Sequence, residues 1–352
     1  MSVGVAGPGF GAGAPVNRAA ILSLHTSPLA QPGSGDSGGM NVYVRELAAG
    51  LAHIGVECSV YVRRWADDLP VEVAVEPGVR VVHVPAGPPE LDKEALYGIV
   101  DEFADGVAAD LERTGGADVL HANYWLSGVA AHRLKHELEL PLVSTFHTLA
   151  RVKAENGDHE PARRVAAEAD VVRCSDVITA SCVTEAHQLE RLYGADPDRI
   201  ELVTPGVEHA LFSPGDPGGA RAALGLDHRR VVLFVGRIQP LKGVDVAVGA
   251  VAALRRQDLQ LVIVGGASGA GGDAEVQRIH DLVRAQGLSD QVRFVDPQPH
   301  HLLSTFYRAA DVVLVPSRSE SFGLVALEAA ACGAPVVAAA VGGLRSLVDH
   351  GR

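Results

Sequence analysis

The run Phe234-Val-Gly236-Arg237-Ile-Gln-Pro-Leu-Lys242-Gly243 joins an apolar stretch to a glycine turn and sets Arg237 and Lys242 five positions apart. Two cations at the end of a buried strand, just before a helix whose N-terminus carries partial positive charge, make a clamp for a diphosphate. A second run, Pro316-Ser-Arg-Ser-Glu320-Ser-Phe-Gly-Leu-Val-Ala-Leu-Glu328, places Glu320 in a loop and Glu328 eight residues later inside a helical pattern. Ionised carboxylates only accept hydrogen bonds, so such a pair suits the hydroxyls of a sugar and of a ribose. Taken singly, either acid is as readily a solvated surface position. It is the combination with the cations that points to a sugar nucleotide.

A third motif, Gly33-Ser-Gly35-Asp36-Ser-Gly38, spells G-x-G-x-x-G. In a dinucleotide fold this turn follows its strand almost directly, with an acid about 20 residues on for the ribose. Here about eight residues separate Leu24 from Gly33, and the next strand ends in Arg63-Arg64-Trp65 with no acid. Both departures count against a nicotinamide cofactor. An NAD(P) oxidoreductase stays as an alternative only because an arginine there suits a 2′-phosphate. The loop keeps a physical use: its glycines admit φ > 0 and bring backbone N–H groups close to a ligand, ahead of a helix starting near Gly39. The plain alternative is a flexible Gly/Ser linker.

These motifs need strand ends and helix starts to hold them, and the chain supplies them in alternation. Apolar runs at 20–24, 58–62, 79–84, 118–121, 142–146, 177–180 and 200–203 read as strands, with helical patterns between several of them. One helix is expected to carry Tyr43, Leu47, Leu51 and Ile54 on its buried face. The pattern restarts with runs at 231–235, 259–264, 292–295, 312–315 and 336–338, after the Pro/Gly-dense stretch 204–219. The reading is α/β: a tail at 1–17, a first doubly wound domain at 18–205, a linker at 206–219 and a second such domain at 220–352. The chain stops just after a helix-like segment, so the second domain is expected to be incomplete and the chain less stable than a longer form.

With 352 residues, two domains are the default. A formal net charge of −13 argues against a nucleic-acid partner. The four cysteines, Cys58, Cys174, Cys182 and Cys332, form no C-x-x-C and pair with no histidine at zinc spacing, which suggests buried thiols in a reducing compartment. No apolar run reaches the ~18 residues of a membrane span. The tail lacks the basic and apolar regions of a signal peptide, so a cytoplasmic location is expected. The same lack weighs against a third class, an exported two-domain sugar-binding protein.

Gly236-Arg237, Lys242 and the pair Glu320/Glu328 together resemble the donor site of the retaining family 4 glycosyltransferases, and the resemblance runs from Ile21 to Gly351. It implies a GT-B architecture, two Rossmann-like domains with a cleft between them. The segments "SLHTSPLAQPGSGDSGGMNVYVREL", "HANYWLSG" and "STFHTLARVK" resemble the branch of that family that opens mycothiol biosynthesis. A hexosyltransferase moving N-acetylglucosamine from UDP-GlcNAc to 1D-myo-inositol 3-phosphate is therefore expected. "GGMNVYVREL" alone is also similar to sucrose-phosphate synthase, which stands as the alternative within the family.

The resemblance assigns roles position by position. Arg237 and Lys242 would hold the diphosphate, Glu320 the transferred sugar and Glu328 the uridine ribose. Gln31, Pro32 and Gly39 would touch the donor, and Gln298 its uracil end. His147 would lie beside the donor sugar, with His121 similarly placed. His25, Asp36 and Asn41 would meet inositol hydroxyls, while Lys93, Tyr124, Thr148 and Arg163 would cradle its phosphate. That last set is two cations and two hydroxyls, chemistry that fits the task. No cofactor is required for the chemistry. The family pattern suggests a peripheral, non-catalytic Mg²⁺ at Tyr307, Arg308 and Ala310, but Ala334 stands where that pattern has threonine. A homodimer is the family-level expectation.

Overall fold

The computed structural model describes residues 15–33, 37–155, 157–269 and 271–349. They form two compact units. One comprises the described part of 1–30 with 40–203, and the other 31–39 with the chain from 204 onward.

The first unit is built on an eight-stranded sheet: β1 (Arg18–Leu22), β2 (Glu57–Arg63), β3 (Glu72–Glu76), β4 (Val79–Val84), β5 (Val119–Asn123), β6 (Leu142–Thr145), β7 (Val177–Ala180) and β8 (Ile200–Leu202). The order is β3-β4-β2-β1-β5-β6-β7-β8, and every pair but one is parallel. Side chains alternate across it. Ala20 and Leu22 enter one apolar layer, with Phe103, Val107 and Leu134, while Ala19 and Ile21 enter the other, with Val44, Val60 and Val81. Burial on both faces is why these strands are near-continuous apolar runs. The exception is β3, which sequence reading passes over. Its segment Glu72-Val-Ala-Val-Glu76 pairs antiparallel with β4 at the sheet edge, where charged residues guard the unpaired backbone.

The second unit carries β9 (Arg230–Val235), β10 (Leu259–Val264), β11 (Val292–Val295), β12 (Val312–Val315) and β13 (Val336–Ala338), all parallel, in the order β11-β10-β9-β12-β13. Val231 and Leu233 face a layer with Phe306, Tyr307 and Ala329. Val232 and Phe234 face another with Val248, Ile279 and Val283. Every strand expected from the sequence is present, with ends shifted by no more than two residues.

In each sheet the chain builds outward on one side of its first strand and then crosses to the other. The strand order therefore reverses between β1 and β5 and again between β9 and β12. Ligands of open parallel sheets bind outside the carboxyl ends of the strands at such switch points.

The first helix, Gly39–His53, corrects one expectation. Its buried residues are Asn41, Val44 and Ala48, while Tyr43, Leu47 and Leu51 are only half-buried and Ile54, beyond its end, is 70% exposed. The small residues Val44 and Ala48 seat the helix on the sheet. The larger ones become its flanks, with Tyr43 turned toward His147 at 4.9 Å between ring centroids.

Candidate active site

In the second unit the chemistry collects at the carboxyl edge. β9 ends at Val235 and delivers Gly236, Arg237 and, on a short 3₁₀ turn, Lys242. β12, its neighbour across the switch point, ends at Val315 and delivers Ser317 and Glu320. The two runs singled out by spacing meet there across 78 residues of chain: Lys242 Nζ donates to Glu320 Oε2 at 2.6 Å, and Ser317 Oγ lies 3.2 Å from the same oxygen. Arg237 donates to Ser268 Oγ at 3.2 Å, and Gln239 donates to it at 2.9 Å, so the loop after β10 braces the arginine. That loop comes very close. Gly265 has φ +152°, and a Cβ on it would stand 1.9 Å from the carbonyl oxygen of Gly236.

Glu328 lies within the helix Leu324–Ala331 and is 4% exposed. Its Oε2 accepts from the Tyr307 hydroxyl at 2.7 Å, and its Oε1 is 2.8 Å from His300 Nε2. The two acids therefore differ in kind: Glu320 is neutralised by a cation at the strand edge, while Glu328 is sunk against the Tyr307 hydroxyl and the His300 ring. Gln298 follows β11 and donates to the carbonyl of Asp296. The strip 31–39 packs with this unit: Gln31 donates to the Pro297 carbonyl at 2.8 Å, Gly38 lies beside the Arg237 guanidinium and Gly39 beside Leu324. Pro32 belongs to the same strip. Asp36 lies outside the described residues.

The first unit makes a second cluster at its own switch point. After β1 comes His25, and after β5 comes Tyr124, their rings 4.3 Å apart. After β6 come His147 and Thr148. Tyr124 and His147 take positive φ, 75° and 61°. Such backbone costs on the order of 1–3 kcal/mol in a non-glycine residue and gathers at functional sites. Asn41, buried at the start of its helix, donates to Thr26 Oγ1 and the Ser27 carbonyl and so pins the loop that carries His25.

Cations surround the Tyr124 ring. Lys93 Nζ lies 6.0 Å from its centroid and the Arg164 guanidinium 5.0 Å. Arg164 is not singled out by the sequence, whereas its neighbour Arg163 is. Arg163 is exposed, donates to the Glu94 carbonyl and lies over Tyr97 at 5.6 Å. Arg164 is 3% exposed, pairs with the fully buried Glu168 at 2.7 Å and donates to Thr148 Oγ1 at 3.1 Å. The signal was its i, i+4 spacing to Glu168, which puts both on the buried side of the helix Ala162–Cys174.

Two histidines sit below this cluster in neutral form. His121 Nε2 contacts Thr145 Oγ1 at 2.8 Å, and burial pushes its pKa down to about 4. His147 Nε2 contacts Asn123 Oδ1 at 2.9 Å. Burial, reinforced by His121, holds its pKa at about 3. Both are hydrogen-bonding groups, not cations, at neutral pH.

Family models match the two units in turn: "Glycosyltransferase Family 4" over residues 37–211 and "Glycosyl transferases group 1" over 220–352. The chain is 48% identical to the D-inositol 3-phosphate glycosyltransferase of Thermobispora bispora, covering 96% of this chain and 82% of that one. Its identity to the protein of the same name from Acidothermus cellulolyticus is 49%, covering 97% and 79%. The chain belongs to the D-inositol 3-phosphate glycosyltransferase family. Among solved structures, this glycosyltransferase is similar to a sucrose-phosphate synthase from Thermosynechococcus elongatus, with a TM-score of 0.88 and 33% identity over 95% of this chain and 84% of that one. It also shares its fold with Anabaena Alr3699/HepE, solved in complex with UDP-glucose, at a TM-score of 0.73 and 21% identity over 95% and 83%. The GT-B class inferred from the motifs is thereby shown.

The expected metal position of the glycosyltransferase reads differently. Tyr307 is fully buried with its hydroxyl on Glu328, and its carbonyl accepts from the Ala310 N–H at 3.2 Å. Arg308 is spent on the carbonyls of Ser213 and Leu211. None of the three offers an anionic side-chain oxygen, and Ala334 offers no oxygen beyond its backbone. The donor set does not fit Mg²⁺, which favours carboxylate and water ligands. Among the described residues, no helix is long and apolar enough to cross a membrane.

Proposed function

We propose that the enzyme transfers N-acetylglucosamine from UDP-GlcNAc to 1D-myo-inositol 3-phosphate with retention of configuration, the first step of mycothiol biosynthesis, in the cytoplasm. The observation that carries this reading is the meeting of Lys242 and Glu320 across the β9/β12 switch point, with Arg237 following the same strand β9. A diphosphate arriving there takes Lys242 and Arg237 as its counter-ions and frees the Glu320 carboxylate for the hydroxyls of the sugar. Glu328, already held by the Tyr307 hydroxyl and the His300 ring, is assigned to the ribose. Lys93, Tyr124, Thr148 and Arg163 are assigned to the acceptor phosphate, with the buried Arg164 holding Thr148, and His25 and Asn41 to the inositol ring. His147, neutral, is a hydrogen-bond partner for a sugar hydroxyl.

A double displacement would need a carboxylate free to attack the anomeric carbon. Once released from Lys242, Glu320 is assigned to the sugar hydroxyls, and Glu328 is buried against Tyr307 and His300, so neither is assigned that role. The route that fits is departure of the diphosphate with same-face attack. The leaving oxygen accepts the acceptor's proton, and Arg237 and Lys242 stabilise the charge that develops on it. The test is UDP release by the full chain with UDP-GlcNAc and inositol 3-phosphate. Lys242→Ala is expected to lower kcat by about 10²–10³-fold, the scale for losing one such charge-stabilising donor. Release that ignores inositol 3-phosphate but responds to a hexose phosphate would move the assignment to the sucrose-phosphate synthase-like alternative.

A further inference from the structure

The sequence pairs no cysteine with histidine at zinc spacing, but the fold of the first unit does so in space. His132 and His136 are one turn apart on the helix Trp125–Leu138, and Cys174 closes the helix Ala162–Cys174 packed beside it. Their ligand atoms all lie within 4.8 Å of one another, and Cys174 Sγ is 3.5 Å from His136 Nε2. For a tetrahedral ion with bonds of about 2.05 Å to nitrogen and 2.3 Å to sulfur, that edge is about 3.6 Å. The helices cannot drift apart easily. A Cβ on Gly128 would lie 2.8 Å from Val171 Cγ1, so their backbones are in close approach just above the cluster.

We propose that His132, His136 and Cys174 bind a thiophilic divalent cation, Zn²⁺, with the fourth position left to water. Imidazole and thiolate are the ligand types that select zinc over Mg²⁺ or Ca²⁺. The cations Lys135, Arg173 and Arg199 stand nearby, of which Arg199 is turned to the carbonyls of Arg173 and Ser175. Lys135 is paired with Asp176 at 2.6 Å, Arg173 with Asp170, and the Asp170 charge also acts on His132. Cys174 lies just before β7 and His136 just before β6, so the cluster stands at the amino edge of the sheet, opposite the strand ends that carry the sugar chemistry. Its role is to staple two helices, not to take part in transfer.

The test is titration of the chelator-stripped full chain with Co²⁺, followed by absorption, and then Zn²⁺ competition. One equivalent is expected, with a near-ultraviolet thiolate-to-cobalt charge-transfer band that Zn²⁺ abolishes. Cys174→Ser is expected to lose that band, and it and His136→Ala to weaken binding by more than ~10-fold, a loss that even an outer-shell partner can cause. Zn²⁺ is expected to raise the Tm of the natural chain but not of Cys174→Ser, with UDP release unchanged by that substitution. Absence of saturable binding, a charge-transfer band that survives Cys174→Ser, or equal affinity in that variant, which would mean the histidine pair alone, would overturn the proposal.

Discussion

His121 makes a prediction that can be worked through in numbers. An unfolded histidine titrates near 6.5, while burial holds His121 at about 4 in the folded chain. The folded pKa is depressed, so the unfolded chain binds the proton more readily and stability falls with pH below about 6.5. Between pH 8 and pH 5 the unfolded state gains about 1.5 units of protonation free energy at ~1.4 kcal/mol each, while the folded state gains almost none. The loss is about 2 kcal/mol. It is insensitive to the folded value as long as that value stays well below 5, and it is complete near the folded pKa.

The assay is built into the chain. Its two tryptophans, Trp65 and Trp125, both belong to the first unit, so their fluorescence in urea reports that unit alone. Other groups also titrate over this range, so the quantity to measure is a difference. In His121→Gln, where the amide can keep the bond to Thr145, the pH 8 to pH 5 loss is expected to shrink by about 2 kcal/mol relative to the natural chain. A pH dependence identical in the two proteins would show that His121 is not held neutral, and the account of the cluster beneath Tyr124 would fail.

Three further outcomes follow from the geometry. Arg164→Ala leaves Glu168 buried and unpaired and should cost about 3–5 kcal/mol by the same fluorescence assay, whereas Arg163→Ala should stay within about 0.5 kcal/mol. Gly265→Ala sets a methyl group against the Gly236 carbonyl and should destabilise the second unit by about 3 kcal/mol or more, read as a fall in Tm. Glu328→Gln should leave the fold intact but raise KM for UDP-GlcNAc by about 10- to 100-fold, the scale of one charge-assisted hydrogen bond, and an unchanged KM would remove Glu328 from the donor site.

The strands were legible because parallel strands buried on both faces must be apolar throughout, as Leu259–Val264 is. β3 was not, because an exposed edge strand obeys no such rule. The Lys242–Glu320 meeting was legible as chemistry but not as contact, since only the strand order makes β9 and β12 neighbours. Arg163 and Arg164 are identical letters side by side. Which one turns inward is decided by the register of Ala167, Glu168 and Val171 on the same helix. The first helix misled for a related reason: helical spacing suggested Tyr43, Leu47, Leu51 and Ile54 for its apolar face, whereas close seating on a sheet favours Val44 and Ala48. The His132–His136–Cys174 cluster joins residues some 40 positions apart on two helices, a distance no spacing rule spans.

The strip 31–39 lies early in the chain yet packs with the second unit. A chimera that exchanges only residues 204 onward between relatives would join the new Arg237 and Pro297 to the old parent's Gln31 and Gly38. The packing contacts of the second unit would then come from two parents at once. A clean exchange has to move two segments of the gene, not one.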